Sequence, residues 1–357
     1  MTLLLSNADV ENLLTMPDCL DAMEIACKEL GTGHGANGAR SEILTPTNRD
    51  DALYSLLTMD GVIPKFRVGA VRINSDILTW PKSETGLKRA KVPAAPNQRY
   101  VGLVLLFSTD TGEPLAIYPD GVVQKMRVGA TCGLAAKHLA RQDSHTAAII
   151  GTGWQAGGQA AAIAAVRPIE RMLCYSPNAE RREAFAAEMR RQLGIDVIAA
   201  PTARDAVRGA DVVMCATNSM QPIFPADWLE PGMHVSSLKH LELDPAVASA
   251  ADVVVTHMRG APSHIFRTEG ADLAKDTEHK KASFKTAMKQ DELPTLPELL
   301  LGRTPGRGSA SDITLFLNYI GLGYQFVATG YALYRRAKER GIGRALDTDW
   351  FTSEVPS

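Results

Sequence analysis

The residues Gly151-Thr152-Gly153-Trp154-Gln155-Ala156 carry the most specific chemistry in this chain. They follow the short apolar run 146–150 and precede an alanine-rich stretch over 157–166. A buried strand, a Gly-x-Gly-x-x-Ala turn and a helix, in that order, form the setting that a dinucleotide requires. Gly151 permits the tight turn, Gly153 lets backbone approach a pyrophosphate, and Ala156 lets helix and strand pack closely. The helix N-terminus then presents free N–H groups and a positive dipole end to the phosphates. NAD enzymes usually place an acid about 20 residues further on, against the ribose 2′-hydroxyl. Here that strand end reads Tyr175-Ser176-Pro177-Asn178, with Arg181 and Arg182 just after it. Ser176, Asn178 and Arg181 could instead take a 2′-phosphate. The expected cofactor is therefore NAD or NADP, with NADPH favoured, although Arg181 and Arg182 also suit a solvated helix face. Thr217 and Asn218, beyond a later strand, complete the expected cofactor contacts.

The elements that must position this turn can be read from periodicity. Apolar runs at 147–150, 172–175, 197–199, 211–216, 234–237 and 252–256 predict strands, with helices over 179–193 and 202–208 between the earlier ones. Short apolar strands alternating with helices predict a parallel sheet covered on both faces, the doubly wound pattern. Before it, helical spacing over 18–27 is followed by strand-like runs at 66–73 and 100–107 and a turn at 109–114 into 115–118. After it, 324–340 predicts a long helix with an apolar face that suits docking on the first region. The fold class expected is α/β: a Rossmann dinucleotide-binding domain over 127–311, plus a discontinuous α+β substrate and dimerisation domain over 1–126 and 312–357. Residues 82–99 and 275–290 read as irregular, charged segments. Lys82, Lys88, Arg89, Lys91 and Arg99 suit either a solvated insertion or a lid over an acidic substrate.

Composition narrows the partners. A net charge of -2 gives no electrostatic reason to expect nucleic acid or an anionic membrane surface. No segment approaches the ~20 apolar residues of a membrane span, and the N-terminus lacks the basic and apolar regions of a signal peptide. The five cysteines form no C-x-x-C pair and lie mostly in apolar stretches, which favours a reducing, cytoplasmic setting. The eight histidines include no H-E-x-x-H and no Cys/His cluster at zinc spacing, so no metal site is expected.

The order of several short motifs resembles the ornithine cyclodeaminase and μ-crystallin family, which includes alanine dehydrogenases and ketimine or imine reductases. Those motifs are Leu3-Leu4-Leu5-Ser6, Thr111-Gly112-Glu113-Pro114, Arg127-Val128-Gly129-Ala130-Thr131, the glycine turn, Ala210-Asp211-Val212-Val213, Trp228-Leu229-Glu230-Pro231-Gly232 and Asp312-Ile313-Thr314. The resemblance implies a homodimer formed through the discontinuous domain, with a cleft between domains for a small amino, imino or oxo acid. It also implies that Arg127 and Arg40 bind the substrate carboxylate, a role suited to a planar bidentate donor. Arg127 is expected at the head of a helix, where Gly129 and Ala130 would let the cofactor approach backbone N–H groups.

Two departures from the family pattern matter. Where the family usually has a lysine, this chain has Arg72, which can bind a carboxylate or polarise a C=N group but is a poor acid or base. The Gly-x-Asp that carries the cyclodeaminase acid is gone from 235–244, and Lys239 and His240 stand near its place. Arg72, Lys239 and His240 are thus the candidate catalytic groups, with Lys239 or His240 as proton source. The reading that follows is an NAD(P)H-dependent reductase of a carboxylate-bearing imine. A cyclising ammonia-lyase with recycled NAD, and a non-catalytic NADPH and small-ligand binding protein, are the alternatives.

Overall fold

The computed structural model describes residues 1–83, 86–87, 90–219, 221–260, 263–271 and 292–355. Two large sheets organise them. The second is seven-stranded and parallel throughout. Its order is Asp196–Ala199, Arg171–Tyr175, Thr146–Ile150, Val212–Cys215, His234–Ser237, Thr314–Leu317, Val253–Thr256. The strands are short, and the four central ones are almost wholly buried because helices Trp154–Val166, Ala179–Leu193 and Ala203–Val207 connect them across the faces. The order reverses at Thr146–Ile150, so a crevice opens where its carboxyl end meets that of Val212–Cys215.

The first sheet is ten-stranded and mostly antiparallel. Its long central strands, Ala52–Ile63 and Val68–Thr79, pair along their whole length. Alternate residues of Val68–Thr79 are buried, including Arg72, Asn74 and Asp76. Helices Met16–Gly31 and Gly323–Arg340 pack on each other and on this sheet. Asp18 fastens them through Arg336, whose Nε and Nη2 lie 2.9 and 2.8 Å from its two carboxylate oxygens.

Helix Gly121–Leu139 joins the two units by packing on Trp154–Val166. The contact is close enough that a Cβ on Gly129 would lie 2.3 Å from the Gly158 carbonyl oxygen. This corrects the expectation for its arginine. The helix begins at Gly121, which places Arg127 in its second turn, where backbone N–H groups are already bonded. Gly129 and Ala130 are buried in helix packing and line neither cavity described below.

Sheet membership also departs from the expected boundaries. Thr314–Leu317 belongs to the second sheet, so the chain returns to the first unit after it and not at 312. Ser263–Arg267 leaves the dinucleotide unit to pair with Arg40–Pro46. Within 82–99, Ala90–Val92 forms a strand on residues 77–79. Lys88, Arg89 and the segment 275–290 lie outside the described residues.

Candidate active site

The glycine turn is built as its sequence requires. Gly151 has φ +108°, and a Cβ there would lie 2.3 Å from the Ala216 carbonyl oxygen. Nothing stands within 4 Å of the Cβ position of Gly153, so a ligand backbone has room to approach. A cavity of about 720 Å³ lies over the turn, lined by Thr152, Gly153, Trp154, Gln155, Ser176, Asn178, Arg181, Thr217 and Asn218 among others. Ala156 does not reach it: fully buried, it packs behind the turn. The residues present therefore fit a dinucleotide.

At the expected 2′ position Thr152 Oγ1 donates to Ser176 Oγ at 2.8 Å, and Asn178 caps helix Ala179–Leu193 by accepting from the Arg181 N–H. Arg181 lines the cavity, whereas Arg182 turns back to the Ser176 carbonyl at 3.0 Å and stacks over Tyr175. Only one of the two arginines faces the ligand space. The Trp154 indole donates to the Gly121 carbonyl at 3.3 Å and carries Lys125 over its ring. The turn is thereby tied to the start of the helix that bears Arg127.

A second cavity, about 320 Å³, opens from the first and shares Arg40, Arg127, Asn218, Lys239 and Gly321 with it. Its floor is the buried face of Val68–Thr79. Arg72 Nε and Nη2 lie 2.8 and 2.7 Å from Asp120 Oδ2, to which Asn74 also donates at 3.2 Å. Gly102 makes this pair possible, since a Cβ there would lie 2.1 Å from Asp120 Oδ1.

Arg127 differs from Arg72 in what surrounds it. It is 6% exposed, Nη1 donates to the neutral Gln325 Oε1 at 2.9 Å, and its Nε has no partner among the described residues. Burial first, then the charges of Arg72 and Arg40, push its pKa down to about 9, still a cation at neutral pH. Asp120 is the nearby carboxylate that offsets these charges, and it is already bonded by Arg72 and Asn74; a buried cation so weakly compensated costs several kcal/mol. The site is therefore arranged to receive an anion, and a carboxylate matches the guanidinium fork. Arg72 and Arg127 both lie over the Phe326 ring, their guanidinium carbons 5.1 and 5.3 Å from its centroid.

Two supports of this site have no local signal in the sequence. Glu242 is fully buried and accepts five hydrogen bonds: from Thr217 N–H and hydroxyl, Ser237 hydroxyl, and the N–H groups of Leu238 and Lys239. It locks together the loops after two adjacent parallel strands, the loops that present Asn218 and Lys239. His257 is the other. Its Nδ1–H must donate to the Ile320 carbonyl at 3.0 Å, so Nε2 accepts from Tyr324 Oη at 2.6 Å. That chain holds Ile320 and Gly321 against Arg127, with a Gly321 Cβ position only 2.8 Å from Arg127 Nη2.

The sequence-expected residues thus converge in part. Arg40, Arg72, Arg127 and Lys239 line the second cavity. His240 begins the 3-10 turn His240–Glu242, and the position of its side chain lies outside the description. Asp120, Glu42 and Asp76 carry no signal of their own in the sequence, because each reaches the site through partners distant in sequence or through strand alternation, and Gln124 joins them from the helical turn before Arg127. Among the described residues no group of three or more His, Cys, Asp or Glu could hold a metal. No described helix is long and apolar enough to cross a membrane.

Comparison with known proteins agrees with this architecture. The model of the ornithine cyclodeaminase/mu-crystallin family matches residues 85–341. Delta(1)-pyrroline-2-carboxylate reductase of Bacillus cereus is 28% identical over 352 residues, covering 97% of this chain and 99% of that protein. Alanine dehydrogenase of Archaeoglobus fulgidus is 27% identical over 350 residues, covering 97% and 98%. The structure of Thermococcus litoralis Delta(1)-pyrroline-2-carboxylate reductase in complex with NADH and L-proline superposes with a TM-score of 0.76 at 26% identity. That alignment covers 96% of this chain and 100% of that one.

Proposed function

The chain belongs to the ornithine cyclodeaminase/mu-crystallin family, and within it we propose an NAD(P)H-dependent reductase that turns a carboxylate-bearing imine or ketimine into an amino acid. The observation that carries this reading is the buried Arg127 at the junction of the dinucleotide cavity and the second cavity. Arg127, with Arg40 beside it, binds the substrate carboxylate and so fixes the C=N carbon at the cavity junction. Bound over the glycine turn, the reduced nicotinamide supplies the hydride. Lys239, on the wall common to both cavities, holds the proton for the imine nitrogen. Arg72, already committed to Asp120, adds positive potential at the floor and exchanges no proton.

The cyclising lyase needs an acid in the segment after His234–Ser237. The two acids there are engaged otherwise: Glu242 by its five donors, and Asp244 as cap of helix Pro245–Ala250, accepting from Ala246 N–H at 2.8 Å. This favours the reductase. Arg181 and Ser176 support acceptance of NADPH as well as NADH, and Arg181→Ala should reduce kcat/KM with NADPH more than with NADH. The five unpaired, buried thiols support a reducing, cytoplasmic setting.

A homodimer is part of the same reading. Opposite residues of neighbouring strands share a face, and the register aligns Phe266, Ile43, Leu56, Ser75 and Val101 across five strands of the first sheet. Phe266, Ile43 and Val101 are exposed. A broad apolar sheet face open to water suits an interface with a second copy.

The test follows reduced-nicotinamide absorbance with pyrroline-2-carboxylate, piperideine-2-carboxylate, and pyruvate or oxaloacetate plus ammonium. Oxidation with at least one is expected. Ammonia release from ornithine or lysine without net change in the cofactor would overturn the reading.

A further inference from the structure

Resting on the reductase reading, we propose that Tyr324 and His257 are positioning residues for hydride transfer. Their hydrogen bond joins the two units beside the cavity junction and sets where Arg127 holds the substrate carboxylate. His257 follows strand Val253–Thr256 of the second sheet, and its N–H donates to the Leu317 carbonyl at 2.9 Å. Tyr324 stands in the first turn of helix Gly323–Arg340, which packs on the first sheet. Its N–H donates to Asn37 Oδ1 at 3.0 Å, and a Cβ on Gly61 would lie 2.7 Å from that nitrogen. Each residue is fastened through its backbone to its own unit, and the 2.6 Å bond between their side chains spans the two.

The direction of every bond in this chain is determined. The Ile320 carbonyl can only accept, so His257 Nδ1 carries the proton and Nε2 accepts from the Tyr324 hydroxyl. The Tyr324 oxygen is left to accept from Cys27 Sγ, 3.5 Å away. All three side chains are fully buried. Burying a hydroxyl and an imidazole costs free energy that apolar residues would not incur, whereas a satisfied polar chain admits one geometry.

That geometry is imposed on residues 318–322, where the chain crosses from strand Thr314–Leu317 to the helix. Ile320 and Gly321 line the dinucleotide cavity, and the Gly321 Cβ position lies 2.8 and 2.9 Å from Arg127 Nη2 and Nη1. Gln325, the residue after Tyr324, accepts on one oxygen from both Arg127 Nη1 and the Leu322 N–H. The guanidinium is therefore bounded by the segment that the Tyr324–His257 bond anchors. Without the bond, that segment and Arg127 gain freedom, and the carboxylate is held in more than one pose. A misplacement of about 1 Å can slow the chemical step by up to ~100-fold.

The test is Tyr324→Phe, which keeps the ring and deletes one oxygen. Single-turnover hydride transfer from NADPH to pyrroline-2-carboxylate, or to whichever imine named above the native protein reduces, is counted per site that binds NADPH. It should slow about tenfold or more. The Kd for NADPH, set at the glycine turn, should change by less than about twofold. In the free protein, hydrogen exchange across 318–322 should quicken while that of Thr314–Leu317 holds. Combining Tyr324→Phe with His257→Leu removes the orphaned ring nitrogen, so the pair carries the test if the single variant fails to fold, and it should be equally slow. A native transfer rate per bound NADPH, as a merely structural pair would give, or unchanged exchange across 318–322, would overturn the proposal and leave the reductase reading standing. No hydride transfer by the native protein to any of those imines would remove both.

Discussion

Arg72 and Asp120, 48 positions apart, form an ion pair on the cavity floor in which two guanidinium nitrogens meet one carboxylate oxygen at 2.8 and 2.7 Å. Both residues are buried. Removing one partner of a buried pair leaves the other charge without compensation, at a cost of about 3–5 kcal/mol. Asp120→Asn should therefore lower unfolding free energy by roughly 3 kcal/mol, read from urea midpoints at constant slope. A change below about 0.5 kcal/mol, the usual range for a surface substitution, would mean that Arg72 is solvated or paired elsewhere.

Arg127 should behave in the opposite sense. Its hydrogen-bonded side-chain partner is the neutral Gln325, and burial weighs against its charge. Arg127→Met keeps the volume and removes the buried cation, so stability should hold or rise, as seen when buried charges give way to apolar groups. Activity should fall, because a charge-assisted bond to carboxylate is worth about 1.5–3 kcal/mol, or roughly 10- to 100-fold in kcat/KM. Thermal unfolding and steady-state kinetics on the same preparation check both halves. Loss of stability together with activity would mark Arg127 as structural.

Buried histidines set the acid limb of stability, His234 and His257 foremost, with His138 also lowered by burial. Burial pushes His234 and His257 down to about 3, so both stay neutral in the folded chain while the unfolded chain takes up protons below ~6.5. The unfolded state then binds more protons, and stability falls as pH drops from ~6.5 toward 3. Each contributes at most about 1.4 kcal/mol per pH unit. Glu24, held near 2 against burial by Lys137 and Lys28, loses its contribution only below ~4.5. The interval from pH 6.5 to 5 therefore isolates the histidines. Urea unfolding at pH 7 and pH 5 should show the drop, and His257→Gln should shrink it. A flat profile would contradict the buried neutral assignment.

The parts legible in the sequence were those written locally. Thr146–Ile150, Gly151 and Ala156 carry their geometry in consecutive residues, and the parallel strands carry theirs as apolar runs. Helix Gly121–Leu139 misled for a physical reason: Asp120 precedes it but spends its carboxylate on Arg72 and Asn74 instead of capping. Small residues at 129 and 130 signal close approach, yet do not say whether ligand or helix approaches; here it is Gly158. Glu242 had no readable role, since its donors come from loops up to 25 positions away. Asp76 lay hidden in strand alternation until the register placed it opposite Ser55.

The sheet face opposite the helices gives the last prediction. Leu103 and Ile73 form the row next to Val101 and Ser75, so the apolar surface is two residues deep along the strands. Its exposed members Ile43, Val101, Leu103 and Phe266 lie on side chains that do not contribute to the buried core. A charge introduced there should leave folding intact and oppose burial against a second copy. Light scattering after gel filtration should give twice the 38.4 kDa chain mass for the native protein, and the single chain mass for Ile43→Asp combined with Val101→Asp. Circular dichroism should match between the two. A native monomer, or a variant that stays at the doubled mass, would move the interface off this face.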